Sequence, residues 1–180
     1  MTASIEMAIA RRTLEAYHDN DLGLPYPVIV RNAAIEEFDS ATGESLAVGL
    51  LHPREYVKAV ALVRALHPLQ LSGAEIRYMR KVLGMKAKDF AAAIPVRPET
   101  FSRIEHDHER TSDYVDQLIR HYVCAELFEE IAGVDFDPKM ITRMHRIPRG
   151  DDAVEPHIEL KLVPATGPDG AGGADWAKAA

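Results

Sequence analysis

Arg97, Glu99, Thr100 and Arg103 are the residues of this 180-residue chain whose types and spacing most clearly suggest chemistry. They lie in Val96-Arg97-Pro98-Glu99-Thr100-Phe101-Ser102-Arg103-Ile104-Glu105. Pro98 suits a first helical position, where its missing N–H costs nothing, and Glu99 suits the positive end of the helix dipole. Phe101 and Ile104 supply an apolar face, so Thr100, Ser102, Arg103 and His106 look elsewhere. A short helix with an Arg-bearing outer side has the shape that enters a DNA major groove, where its N-terminal residues reach base edges. An arginine fork on guanine contributes about 1–3 kcal/mol of discrimination. Arg97, Glu99, Thr100 and Arg103 are therefore candidate base contacts. Lys86, Lys88, Ser102, His106 and Arg110 are candidate phosphate contacts, which set register without reading sequence. The same spacing also fits a small helical bundle with a solvated polar face, and spacing alone does not separate the two readings.

Other chemistries have weaker support. Cys124 has His121 three residues before it in an apolar helical run, which suits a buried small hydrophobe better than a nucleophile. His106 and His108 stand two apart, off a common helix face, and the other histidines lack ligand spacing. One cysteine excludes an internal disulfide and a cysteine-based zinc site. No G-x-G-x-x-G or P-loop occurs. The expectation is a protein that is not an enzyme and uses no metal or cofactor.

The elements that would position the candidate contacts are compact. Ser72-Gly73-Ala74-Glu75 is a capping box that opens a helix with Ile76, Met79, Arg80 and Leu83 on one face, and Gly84 is a plausible stop. A second helix over residues 86–94 buries Phe90, Ala91 and Ile94. The third is the Arg97 helix. These residues resemble the helix-turn-helix of XRE/Cro regulators, and more closely the C-terminal domain of MqsA-type antitoxin regulators. Members read L-T-G-x-E-I-R-x-L-R-K-x-L-G and later V-S-x-x-T-x-S-R-x-E-x-G. Here the blocks are Leu71-Ser72-Gly73-Ala74-Glu75-Ile76-Arg77-Tyr78-Met79-Arg80-Lys81-Val82-Leu83-Gly84 and residues 96–105. The resemblance implies a dimeric, sequence-specific DNA-binding regulator, with repression by promoter occlusion as the default outcome.

The chain also departs from that pattern. Lys86-Ala87 replaces the usual Ser-Gln, which removes a helix cap and a DNA-touching glutamine. Pro95 replaces the turn glycine and Asp107 the glycine after the recognition helix. Because proline resists positive φ, a differently built turn is expected at Pro95. MqsA-type proteins also carry an N-terminal zinc ribbon with a Cys-Gly-Glu turn. Thr42-Gly43-Glu44 stands in that place, without partner cysteines. A related but metal-free domain would make protein contacts, either toxin neutralisation or dimerisation, or would simply support its neighbour.

Net charge is −7, which opposes general nucleic-acid binding. Its distribution differs: residues 72–110 hold 8 Lys/Arg against 6 Asp/Glu, while both flanks are net acidic. A local positive field with acidic flanks suits specific binding. No apolar run reaches membrane-span length and no signal-peptide pattern opens the chain, so a cytoplasmic, nucleoid-associated protein is expected.

The expected fold is mainly α with a small antiparallel β-sheet, an α+β chain. Residues 1–70 form an interaction or dimerisation domain: a helix over 5–17, strands near 26–30, 34–38 and 45–51, a turn at 39–44, and a helix from Pro53 to about His67. Residues 71–133 form the helix-turn-helix domain, closing with a long helix over 114–132. Its stripe of Val115, Leu118, Ile119, Tyr122, Val123, Leu127 and Ile131 is broad enough to cover the core and offer a dimer face. Residues 134–163 form an extension with a short helix before Met144, a basic cluster of Arg143, Arg146 and Arg149, and a strand at 157–163. Residues 164–180 read as a disordered tail, with Trp176 out of place in it. A partner protein bound through residues 1–70 is the alternative function.

Overall fold

The computed structural model describes residues 8–134, 137–150, 152–164 and 174–179. The chain is α+β; among the described residues there are six helices and one mixed five-stranded sheet. Strands β1 (Ile9–Asp19), β2 (Val28–Asp39) and β3 (Ser45–Leu50) come first, followed by helices α1 (Pro53–Ala65), α2 (Gly73–Val82), α3 (Ala87–Ala93) and α4 (Pro98–Glu105). Helix α5 (Asp113–Leu127) runs into a 3-10 turn at Phe128–Glu130, then come α6 (Pro138–Arg143), β4 (Ile158–Pro164) and β5 (Ala174–Lys178).

β2 organises the sheet. It takes β1 antiparallel along one edge. Its other edge takes β4 parallel over residues 28–31 and β3 antiparallel over residues 34–38. β5 completes the order as the antiparallel partner of β4. The sheet is therefore mixed where an antiparallel one was expected, because β4 joins it from far along the chain. Asp39 closes the β2–β3 turn through its own carboxylate, which accepts from Ala41 N at 2.9 Å, and Gly43 takes φ 75° there.

Two other expectations are corrected. Residues 9–19 are a strand, although Ile9, Leu14 and Tyr17 suggested a helix; residues 5–7 of that expected helix lie outside the described residues. Half-buried Ala10, Leu14 and Ala16 alternate with exposed residues, but exposed Arg12 and the bulge after Leu14, beyond which Tyr17 and Asp19 turn inward, break the period-two pattern. Residues 174–178, expected in a disordered tail, form β5, and Trp176 is fully buried. Its ring lies 5.0 Å from that of Tyr56 on α1, and its indole N–H donates to the His52 carbonyl. Gly133 makes room for this strand, since a Cβ there would lie 2.4 Å from the Trp176 carbonyl oxygen.

α1 packs on β4 and β5, and one continuous core runs from there to the short helices. It joins Val28, Val30 and Leu160 of the sheet to Leu62, Ile76, Met79, Phe90, Phe101 and Ile119. The expected stripe on α5 is used internally: Ile119, Val123, Leu127 and Ile131 are buried, and Val115, Leu118 and Tyr122 are half-buried against the same core. α5 stops at Leu127 rather than near Gly133, where Glu126, Glu129 and Glu130 crowd the negative end of its dipole.

Candidate nucleic-acid interface

The capping box at α2 is formed as expected: Glu75 N donates to Ser72 Oγ, and Ser72 N donates to Glu75 Oε2 at 2.7 Å. α3 and α4 then lie side by side, with the Phe90 and Phe101 rings 5.3 Å apart and Tyr122 of α5 edge-on to Phe90 at 5.5 Å. These anchors turn the apolar faces inward and leave the polar face of α4 in solvent.

On that face Glu99 and Arg103 lie one turn apart, with Ser102 and His106 beside them, and all four are exposed. Arg97 is the N-cap residue of α4 and is exposed; Thr100 is half-buried and the least available of the four base-contact candidates. Arg103 is 64% exposed, with Glu109 3.4 Å away, a pairing weak enough to exchange for another anion. Nδ1 of His106 lies 2.7 Å from the Ser102 carbonyl and carries the proton that this carbonyl accepts. Its Nε2 can donate to a phosphate only in the imidazolium form. Lys86 stands at the N-cap of α3 without capping it, and Lys88 follows in the first turn; both are exposed. Arg110 lines a cleft of about 310 Å³ with Gln70, Ser72, Asp107, Thr111 and Arg149.

Buried pairing removes charges of both signs from residues 72–110 and leaves the net excess at +2. Glu75 and Glu105 are buried and paired with Arg64 and Arg80. That leaves Lys81, Lys86, Lys88, Arg97, Arg103 and Arg110 exposed, against Asp89, Glu99, Asp107 and Glu109.

A close backbone approach and hydrogen bonds from Gly73, Arg77 and Arg80 fix the end of α4 on α2. A Cβ at Gly73 would meet the carbonyl oxygens of Ile104 and Glu105 at 2.5 and 2.7 Å, so only glycine allows this approach. Arg80 donates to Glu105 Oε1 at 2.7 Å, and Arg77 donates to the Glu105 carbonyl. Asp107 takes φ 56°, the left-handed conformation of a helix-ending glycine, and its Oδ1 accepts from Gly73 N at 2.7 Å. The aspartate thus meets the backbone requirement and adds a cap that glycine cannot. Pro95 has φ 21°, far from the roughly −65° of a relaxed proline and short of the roughly +57° of a left-handed turn residue, so this turn is not the glycine turn of the pattern.

The polar joint behind this face draws its members from distant parts of the chain. Glu75 is fully buried and accepts from Arg64 (2.6 and 2.9 Å), Tyr26 Oη (2.7 Å) and Arg149 (3.0 Å). Burial raises its pKa, but the Arg64 charge and these hydrogen bonds outweigh that and leave it below the ordinary carboxylate value. Arg120, also fully buried, donates to Asp116 at 2.5 Å and to the carbonyls of Ala65 and Leu69 at 2.7 Å. Asp116 in turn accepts from Leu71 N at 2.8 Å. Two arginines thus hold the link between α1 and α2. Their signal was an arginine inside an apolar helical face, at Arg64 among Tyr56, Val60 and Val63 and at Arg120 between Ile119 and Val123. Arg149, read with Arg143 and Arg146 as a basic patch, turns inward to Glu75 and Glu155.

Among the described residues no group of three His, Cys, Asp or Glu side chains could hold a metal ion, and no helix is long and apolar enough to cross a membrane. Cys124 is buried, and burial pushes its thiol up to about 12, so it is unsuited to nucleophilic work. No protein-family profile, curated protein or solved structure matches the chain.

Proposed function

We propose that the protein is a sequence-specific DNA-binding transcriptional regulator, a repressor or autoregulator acting as a dimer, that places α4 in the major groove. The supporting observation is the outer face of α4. It is short, exposed, led by Arg97 and Glu99, and centred on Arg103, while Gly73, Arg80 and Asp107 anchor its inner side. The resemblance of residues 71–105 to XRE/Cro and MqsA-type helix-turn-helix sequences adds to this reading. Arg97, Glu99, Thr100 and Arg103 then meet base edges, and Lys86, Lys88, Ser102, His106 and Arg110 meet phosphates. Selection from fragmented genomic DNA followed by sequencing tests this. The expected outcome is enrichment of a motif whose half-sites lie about one helical turn, ~34 Å, or a multiple apart. Retention of DNA without any common motif would contradict it.

The second reading is an antitoxin-like module that binds a partner protein through residues 1–70. It is favoured by β3, whose segment 45–51 carries no charge and leaves Leu46, Val48 and Leu51 exposed. Such an uncharged edge strand offers backbone groups and apolar side chains to another chain. Loss of partner capture in Val48→Lys, with DNA selection intact, supports it.

A further inference from the structure

A second cavity lies away from the α4 face, where α1, the segment after α5, and the sheet converge. Its volume is about 360 Å³, at the lower end of the roughly 300–1,000 Å³ typical of small-molecule sites. Val63, Leu66, Pro68, Val134, Met140 and Ile158 give it largely apolar walls. Three polar groups interrupt those walls, and each has a defined state.

The ammonium of Lys178, on β5, is exposed and makes no ion pair or hydrogen bond among the described residues. An unpaired ammonium beside an apolar cavity is a ready counter-ion. His67 is committed differently. Its Nδ1 accepts from Leu69 N at 3.2 Å, so in the neutral ring the proton sits on Nε2, which is a donor. Burial, then the neighbouring Arg64 and Arg120, push its pKa down to about 4, so the ring is neutral at physiological pH. His157 is occupied by Glu159 at 3.2 Å. The cavity therefore offers one free positive charge, one neutral N–H donor and apolar walls.

We propose that this cavity binds a small amphipathic carboxylate, with its acyl body against Leu66, Val134 and Ile158 and its carboxylate on Lys178 and His67. An inorganic anion would leave the apolar walls unfilled, and a wholly apolar molecule would leave Lys178 without a partner. The site stands apart from the proposed DNA reading, and neither depends on the other.

The protein reports on the site itself. Trp176 is the only tryptophan and lies two residues from Lys178 on β5, with its carbonyl against Gly133 at the cavity wall. The test is a titration of the full chain with octanoate, followed by Trp176 fluorescence and by amide chemical shifts, with 1-octanol as the uncharged counterpart. A saturable octanoate response is expected, with weaker binding of 1-octanol. Lys178→Gln should weaken octanoate about five-fold, in keeping with a solvent-exposed ion pair, and Val134→Phe should abolish binding by filling the space. The proposal is overturned by no saturable response in either readout. Equal affinity for 1-octanol, an unchanged Lys178→Gln, or binding that survives Val134→Phe would overturn it too.

Discussion

The joint behind α2 and the outer face of α4 are built from the same residue types and do opposite things. At the joint, Arg64, Arg120, Glu75 and Asp116 are fully buried and bonded to each other and to backbone carbonyls. On α4, Arg97, Glu99 and Arg103 stand in solvent with at most a loose partner. Arg77 and Arg80 show the divide within one motif, since both belong to the helix-turn-helix-like block yet both are spent on Glu105. A charge taken from water must be paired where it sits, so a buried arginine holds structure. An exposed arginine keeps its hydration until a partner replaces it. Burial, more than residue type, separates the scaffold from the candidate reading surface.

The joint is most sensitive at Glu75. Glu75→Gln leaves Arg64 buried with a neutral partner, and a loss of about 3–5 kcal/mol is expected in urea denaturation. A loss under 1 kcal/mol would mean that water reaches the joint. Gly73→Ala comes next. The new methyl would collide with two backbone carbonyls of the α4 end, so about 1–3 kcal/mol should be lost, with α4 amide shifts the most perturbed in NMR spectra.

Protonation offers a milder probe. The folded pKa of His67 is pushed down to about 4, below its ordinary value of 6.5. The unfolded chain therefore binds the proton more readily between those values, and this share of stability is present above pH 6.5 and lost as pH falls toward 4. The urea midpoint should decline over that window, and less steeply in His67→Gln. Smallest of all is the stability effect of Arg103→Ala, expected within about 0.5 kcal/mol because the side chain is exposed and weakly paired.

Legibility in the sequence followed how local the determining interaction is. The Ser72–Glu75 box, Pro98 in the first turn of α4 and the turn after Asp39 are all decided within a few residues, and all were readable. β5 was not. Its Ala-Asp-Trp-Ala-Lys run has little strand preference and is ordered by β4 and α1, leaving Trp176 as its single clue. β1 misled because Arg12 and the bulge after Leu14 interrupt the alternation that marks a strand. The Glu75 site gathers Tyr26, Arg64 and Arg149 from distant parts of the chain, so spacing could not reveal it. The candidate α4 residues were legible as a helical face, and the structure adds which of them are exposed.

On the proposed function, the α4 face reads DNA while the joint only holds it. The most direct test is fluorescence anisotropy on DNA from the protein's own upstream region and on random DNA, across a salt series, for wild type and Arg103→Ala. Tight, steeply salt-dependent wild-type binding that favours the upstream fragment is expected, with loss of that preference in an Arg103→Ala protein of unchanged stability. Wild-type binding that treats both DNAs alike, or a preference that survives Arg103→Ala, would contradict it.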